Sequence, residues 1–307
     1  MELKNYIMYK KIPTLIFSFL LITVCFSNSL EFDEDIYVEI ENCELNYGSE
    51  NLKEQSSKNE IYIVGHAYGK PGVGNFFPER LTDYFDESVN NSVSNYIALT
   101  GDFVRNPTKS SYEKVKKYLE QNFYEYFLSV GNHEINNGDN TSGEGLDNYF
   151  EYFKKDLFYK EFQNFLVISA NFSNNNWLPS EIQKRKINTI INNSTKKYII
   201  LLSHQLFWLL DADVEIKPNS DALLQPRDYY VSLSYDSLSW IDKSNEKYFI
   251  VISGDYGAWG DRTYCKSIDN KLFIANGIGD NPNDTIIKIF DYNKGFAIQE
   301  LKLNKVD

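Results

Sequence analysis

His66, His133 and His204 are the only histidines in the chain, and each stands just past a short apolar run. His66 follows Gly65 after residues 61–64 (IYIV). His133 lies in Gly131-Asn132-His133-Glu134 after residues 126–130 (YFLSV), and His204 follows Ser203 after residues 198–202 (YIILL). Two more runs, 96–100 (YIALT) and 248–253 (YFIVIS), end in Gly101-Asp102 and Gly254-Asp255. Imidazole nitrogen, carboxylate oxygen and amide oxygen are ligands for borderline or hard metal ions such as Zn, Mn or Fe. A single Gly-Asp pair marks an ordinary turn, and a single His behind a strand is most often structural. Gly-Asn-His-Glu behind a buried run is more specific. Five such ends in series point to one shared metal site.

For the five ends to meet, the runs must be neighbouring strands. Continuous apolar runs of this length suit strands buried on both faces. Helical patterns lie between them, over 110–121 and over 180–191, where Ile182, Ile187, Ile190 and Ile191 keep near-helical spacing. Residues 272–275, 285–292 and 296–303 read as further strands. Strands alternating with helices, followed by a β-rich end, predict an α/β sandwich. In open α/β sheets, ligands bind beyond the carboxyl ends of the strands.

Over residues 60–303 this series resembles the calcineurin-like metallophosphoesterase superfamily. The resemblance implies a four-layer α/β fold, the metallophosphoesterase-type β-sandwich flanked by helices, with a two-metal site at the strand ends. It implies that Asp102 bridges the metals, that Asn132 and His204 bind metal B, and that His133 gives a proton to the leaving oxygen. Residues 177–191 fit the family's middle segment, and Gly277 and Gly279 its late glycine turn. Two motifs depart. The family's Asp-x-His is here His66-Ala67-Tyr68, and its Gly-His-x-His is Gly254-Asp255-Tyr256-Gly257. Asp255 thus stands where a metal-B His belongs, and Gly257 has no side chain to offer metal A. Metal B keeps Asp102, Asn132, His204 and Asp255. Metal A is left with Asp102, His66 and Tyr68. Phenolate is a ligand for trivalent iron in the purple acid phosphatases of this superfamily, where the Tyr occupies a different motif position. The expected cofactor is one or two Mn, Fe or Zn ions per chain.

These parts imply a metal-dependent hydrolase of phosphomonoesters or phosphodiesters. Metal-bound hydroxide attacks phosphorus in line, and His133 protonates the departing alkoxide. Arg105, three residues past Asp102, is the candidate phosphate clamp through its guanidinium fork, and Tyr256 is a candidate pocket residue. Two other readings stand beside this one. A degenerate fold would serve as a binding module for an envelope glycan or a protein partner. Alternatively, the same site would cleave or transfer a non-phosphate ester on a surface polysaccharide. His133 weighs against the binding module, which has no need of a proton donor.

The 307 residues carry 31 basic and 43 acidic side chains, a net charge of −12. Nucleic acid is therefore not the expected partner, because phosphate-backbone binding needs a basic face. Lys4, Lys10 and Lys11 precede an apolar run over 12–26, and Ser27 and Ser29 follow it. That is the pattern of a secretory signal over 1–29, or of an uncleaved anchor that tethers the chain to a membrane. The expected location is periplasmic, secreted or held on the outer side, with a small phosphoester or cell-envelope substrate. Residues 30–58 are acidic and polar and read as an extension, leaving 59–307 as the metallophosphoesterase domain. Cys43 and Cys265 remain after the signal, either as one long-loop disulfide or as two free thiols.

Overall fold

Side chains alternate across a strand, so a strand covered on both faces serves two separate cores. The computed structural model describes residues 35–43, 45–70, 73–89, 92–135, 144–173, 178–205, 238–242, 246–256 and 263–303. In chain order the strands are β1 (Ile36–Ile40), β2 (Leu45–Gly48), β3 (Asn59–Val64), β4 (Ser94–Thr100), β5 (Glu125–Ser129) and β6 (Leu157–Glu161). There follow β7 (Phe165–Ala170), β8 (Tyr198–Ser203), β9 (Tyr248–Ser253), β10 (Tyr264–Ile268), β11 (Lys271–Ala275), β12 (Thr285–Tyr292) and β13 (Gly295–Lys302). The helices are α1 (Glu79–Ser88), α2 (Lys109–Asn122), α3 (Asn132–Ile135), α4 (Glu144–Phe153) and α5 (Glu181–Asn193).

Among the described residues the strands form two sheets, ordered β2-β1-β13-β12-β3-β4-β5 and β10-β11-β9-β8-β7-β6. Strands β3, β4 and β5 run parallel in the first, and β7, β8, β9 and β11 run parallel in the second. In the second sheet the alternation is explicit. Val167, Ile200, Leu202, Ile250 and Ile252 join a core shared with Ile61, Ile63 and Leu99 of the first sheet. Their neighbours Leu166, Ile168, Ile199, Leu201 and Val251 meet Ile187 and Ile191 of α5. Helix α5 begins at a reciprocal cap, in which Ser180 and Gln183 satisfy each other's backbone N–H groups. On the far face of the first sheet, Tyr62 meets Phe85 of α1 edge-on at 5.5 Å and Phe123 at 6.1 Å. The four-layer α/β sandwich is therefore present. No helix among the described residues is long and apolar enough to cross a membrane.

The expected polar extension over 30–58 needs correction. Strand β1 lies between β2 and β13, and Ile36, Tyr37, Val38 and Ile40 are fully buried. Among the described acidic residues of this stretch, Glu39 is held by Lys53 and Glu41 by Lys302, each at 2.8 Å. Cys43, in the turn after β1, forms a disulfide with Cys265 of β10, their Cα atoms 5.7 Å apart. The bond ties the β1–β2 edge of one sheet to the β10 edge of the other. Replacing both cysteines by Ala is expected to cost about 2–5 kcal/mol, read as a lower urea midpoint. Metal content should not change, because neither sulfur reaches the site described next.

Candidate metal centre

Five of the parallel strands end on one rim, and tight packing of backbone there explains their glycines. A Cβ on Gly101 (φ +86°) would come within 2.2 Å of His204 Nδ1, and one on Gly254 within 2.2 Å of the Thr100 carbonyl. The next residue along, Asp102, has φ 51°, and His66 after β3 has the same value. Left-handed backbone is uncommon outside glycine but several-fold enriched for Asp and His, and costs about 1–3 kcal/mol. Both strained residues are fully buried and face the same point.

His204 organises the site. Its Nδ1 lies 2.8 Å from the Thr100 carbonyl, which can only accept, so Nδ1 donates and Nε2 faces the rim. Around Nε2 stand three oxygens: Asn132 Oδ1 at 3.2 Å, Asp255 Oδ1 at 3.4 Å and Asp102 Oδ1 at 3.5 Å. Ligand atoms of Asp102, His204 and Asp255 all lie within 4.8 Å of one another, and all three residues are buried. Burial pulls the His204 imidazole down, but the Asp102 and Asp255 carboxylates outweigh it and carry the pKa up to about 10. Burial pushes Asp102 up, and the imidazoles of His204, His66 and His133 bring it below its usual value. Asp255 Oδ1 is buried with no hydrogen-bond partner. Apart from the His204 ring at 3.4 Å this buried carboxylate oxygen has no partner, a place that a cation would fill. This donor set fits a metal ion: one imidazole nitrogen held by a second-shell carbonyl, two carboxylates and an amide oxygen.

A second cluster lies on the other side of Asp102. His66 Nε2 stands 3.6 Å from Asp102 Oδ2. Its Nδ1 is 3.2 Å from the Ile278 carbonyl, so Nδ1 carries the proton and Nε2 is bare. Burial lowers the His66 pKa against the pull of Asp102 and Asp255, which keeps the ring neutral. Asp102 thus offers one oxygen to each side, as a bridging carboxylate would. The Tyr68 hydroxyl, expected here as a ligand, instead lies 3.1 Å from His133 Nε2. His133 Nδ1 is 3.0 Å from the Arg105 carbonyl. Tyr256 packs with Tyr264 (6.1 Å) beside the α5 core. Gly257 lies outside the described residues.

The sequence pattern gave Glu134 no role, yet it is the knot of the rim. Oε1 accepts from the N–H groups of Phe103 (2.9 Å) and Val104 (3.0 Å), and Oε2 from those of Asp102 (2.8 Å) and Gly131 (2.6 Å). One carboxyl thereby fixes the loops after β4 and β5 together. Burial and the neighbouring Asp102 push its pKa up to about 8 against these donors. The orienting carbonyls of Thr100, Ile278 and Arg105 leave no trace in residue type at all.

Asp284 steadies the Ile278 turn by accepting from Gly279 N (3.2 Å) and Asn281 N (2.8 Å). Burial pushes its carboxyl from 3.8 up to about 6, against these donors. The folded chain then binds the proton more tightly than the unfolded one, so this group's contribution falls as pH rises between those two values. Asp284→Asn is expected to flatten the change in urea midpoint with pH over that window. An unaltered slope would mean Asp284 titrates normally.

Fold and site together define a two-sheet α/β sandwich with metal-ligating side chains gathered at the strand ends. The family model for calcineurin-like phosphoesterases matches residues 66–228, just over half of the chain. The chain belongs to this family of metal-dependent phosphoester hydrolases. Among solved structures it is similar to phosphopantetheinyl hydrolase (PptH) from Mycobacterium tuberculosis. That match has 10% identity and a TM-score of 0.41, covering 73% of this chain and 91% of that one. A single mutant of Vps29 from Entamoeba histolytica matches at 12% identity and TM-score 0.33, covering 80% and 99%. PhoD matches at 9% and 0.48, covering 78% of this chain and 64% of PhoD. No curated protein matches the chain significantly.

Proposed function

We propose that this protein hydrolyses phosphomonoesters or phosphodiesters from a metal centre held by Asp102, Asn132, His204 and Asp255. The observation that carries the reading is the convergence of three oxygens on His204 Nε2, with Asp255 Oδ1 otherwise unpaired. When bound, a divalent or trivalent ion supplies Lewis acidity toward a phosphoryl oxygen and lowers the pKa of water. His66 and the second oxygen of Asp102 offer two ligand atoms for another ion. Arg105 places its guanidinium near Tyr68, where its charge acts on the phenol, and it is the proposed phosphate clamp. His133 sits half-exposed at the rim with Nδ1 held by a carbonyl. Nε2 is therefore the nitrogen that delivers a proton to the leaving oxygen. Export through residues 1–29, with a small phosphoester or envelope component as substrate, completes the proposal.

The test is metal content per chain by elemental analysis of the purified protein, alongside hydrolysis of p-nitrophenyl phosphate and bis-p-nitrophenyl phosphate. Metal together with turnover of either ester is the expected result. A protein that takes up no manganese, zinc or iron and hydrolyses neither ester would overturn it in favour of a binding role.

A further inference from the structure

In the family's first motif the place of Tyr68 belongs to a metal-ligating His, yet here the side chain turns elsewhere. We infer that Tyr68 is a positioning residue for His133: its hydroxyl fixes the imidazole's orientation and tautomer, and it does not bind metal. The hydroxyl lies 3.1 Å from His133 Nε2, and the rings meet at 4.9 Å with an interplanar angle of 61°. At its other nitrogen, the His133 ring is held by the Arg105 carbonyl at 3.0 Å. That carbonyl can only accept, so Nδ1 donates; Nε2 accepts from the phenol in the neutral ring and donates to the phenol oxygen in the protonated one. A planar ring with both nitrogens engaged can neither flip nor swing.

Tyr68 is itself held firmly. It is 2% exposed, its N–H donates to the Asp102 carbonyl at 3.1 Å, and its ring lies 4.4 Å from that of His66. Nε2 has one in-plane direction for a partner, and the leaving oxygen must use it. The phenol therefore holds that direction at rest and yields it when substrate arrives, and the proton that then passes to the leaving oxygen is the one Nε2 carries in the doubly protonated ring. The strand that positions the metal centre thus also sets the aim of the proton donor. Only the kinetic part of the test below rests on the phosphoesterase reading.

The variant is Tyr68→Phe, which keeps the ring and removes the hydroxyl. With three histidines in the chain, ¹⁵N spectra of the imidazoles are simple enough to assign by single substitutions. The expected result has three parts. Metal content equals that of the parent protein. The His133 nitrogens shift away from a single Nδ1–H tautomer, while those of His66 and His204 stay. With alkyl phosphoesters kcat falls about fivefold to tenfold, the scale of one hydrogen bond, at nearly constant KM. With nitrophenyl esters, whose leaving groups need no proton, it changes little. Loss of metal would make Tyr68 a ligand, and unmoved His133 nitrogens would remove its positioning role; either overturns the inference. If the parent protein hydrolyses no phosphoester, the functional proposal fails, while the spectra and metal content still decide the role of Tyr68.

Discussion

Asp102→Asn is expected to empty the metal centre and lower hydrolysis by about three orders of magnitude or more, since metal chemistry supplies several kcal/mol of transition-state stabilisation. The substitution is nearly isosteric. Asn adopts the left-handed backbone that Asp102 holds at φ 51°. Its amide oxygen can still accept from the His133 N–H, now 2.9 Å from Asp102 Oδ1. What disappears is the charge, and with it the largest of the attractions that lift His204 above its ordinary pKa. Elemental analysis and initial rates measure the loss, and thermal melting checks that the fold remains. Full metal content with full activity would show that Asp102 is not the shared ligand.

His133→Ala should give the opposite combination, with metal retained and turnover lost. The His133 ring lies outside the Asp102–His204–Asp255 cluster, and its backbone N–H is what donates to Asp102 Oδ1. Ala keeps that N–H. Removing a general acid costs about 10²–10⁴ in rate, concentrated on esters whose leaving oxygen is a poor anion. A series of phosphoesters graded by leaving-group pKa should therefore show a steeper dependence in the variant. Parallel lines, or a loss of metal, would take the proton-donor role away from His133.

The sequence was most legible where one physical signal dominated. Runs such as residues 198–202 and 248–252 are apolar at every position because β8 and β9 feed two cores. Such runs identify themselves without any periodicity. The residues behind them stood out because His, Asp or Asn-His just past each of five strand ends is a strong joint signal. Strand β1 escaped because its four apolar positions, Ile36, Tyr37, Val38 and Ile40, sit among acids, and the strand that covers them is distant in sequence. That strand, β13, lies 260 residues away, as the Gln299–Glu39 hydrogen bond records. Tyr68 was read as a metal ligand from its motif position, and a motif position cannot say which neighbour its hydroxyl will choose. Glu134 went unassigned because its partners are backbone N–H groups, which every residue carries.

The β1–β13 pairing has a consequence for how the chain is made. Strand β1 leaves the ribosome about 260 residues ahead of its parallel neighbour β13. Until β13 emerges the apolar residues Ile36, Val38 and Ile40 have no sheet to join. Their closure over nearly the whole chain is the kind of non-local step that slows folding. The native partner of Cys43 likewise emerges 222 residues after it. Aggregation through the waiting strand would trap the chain before the sandwich can shut. Nascent chains of this protein should therefore depend on a holding chaperone, and lose that dependence only after the final strand is complete.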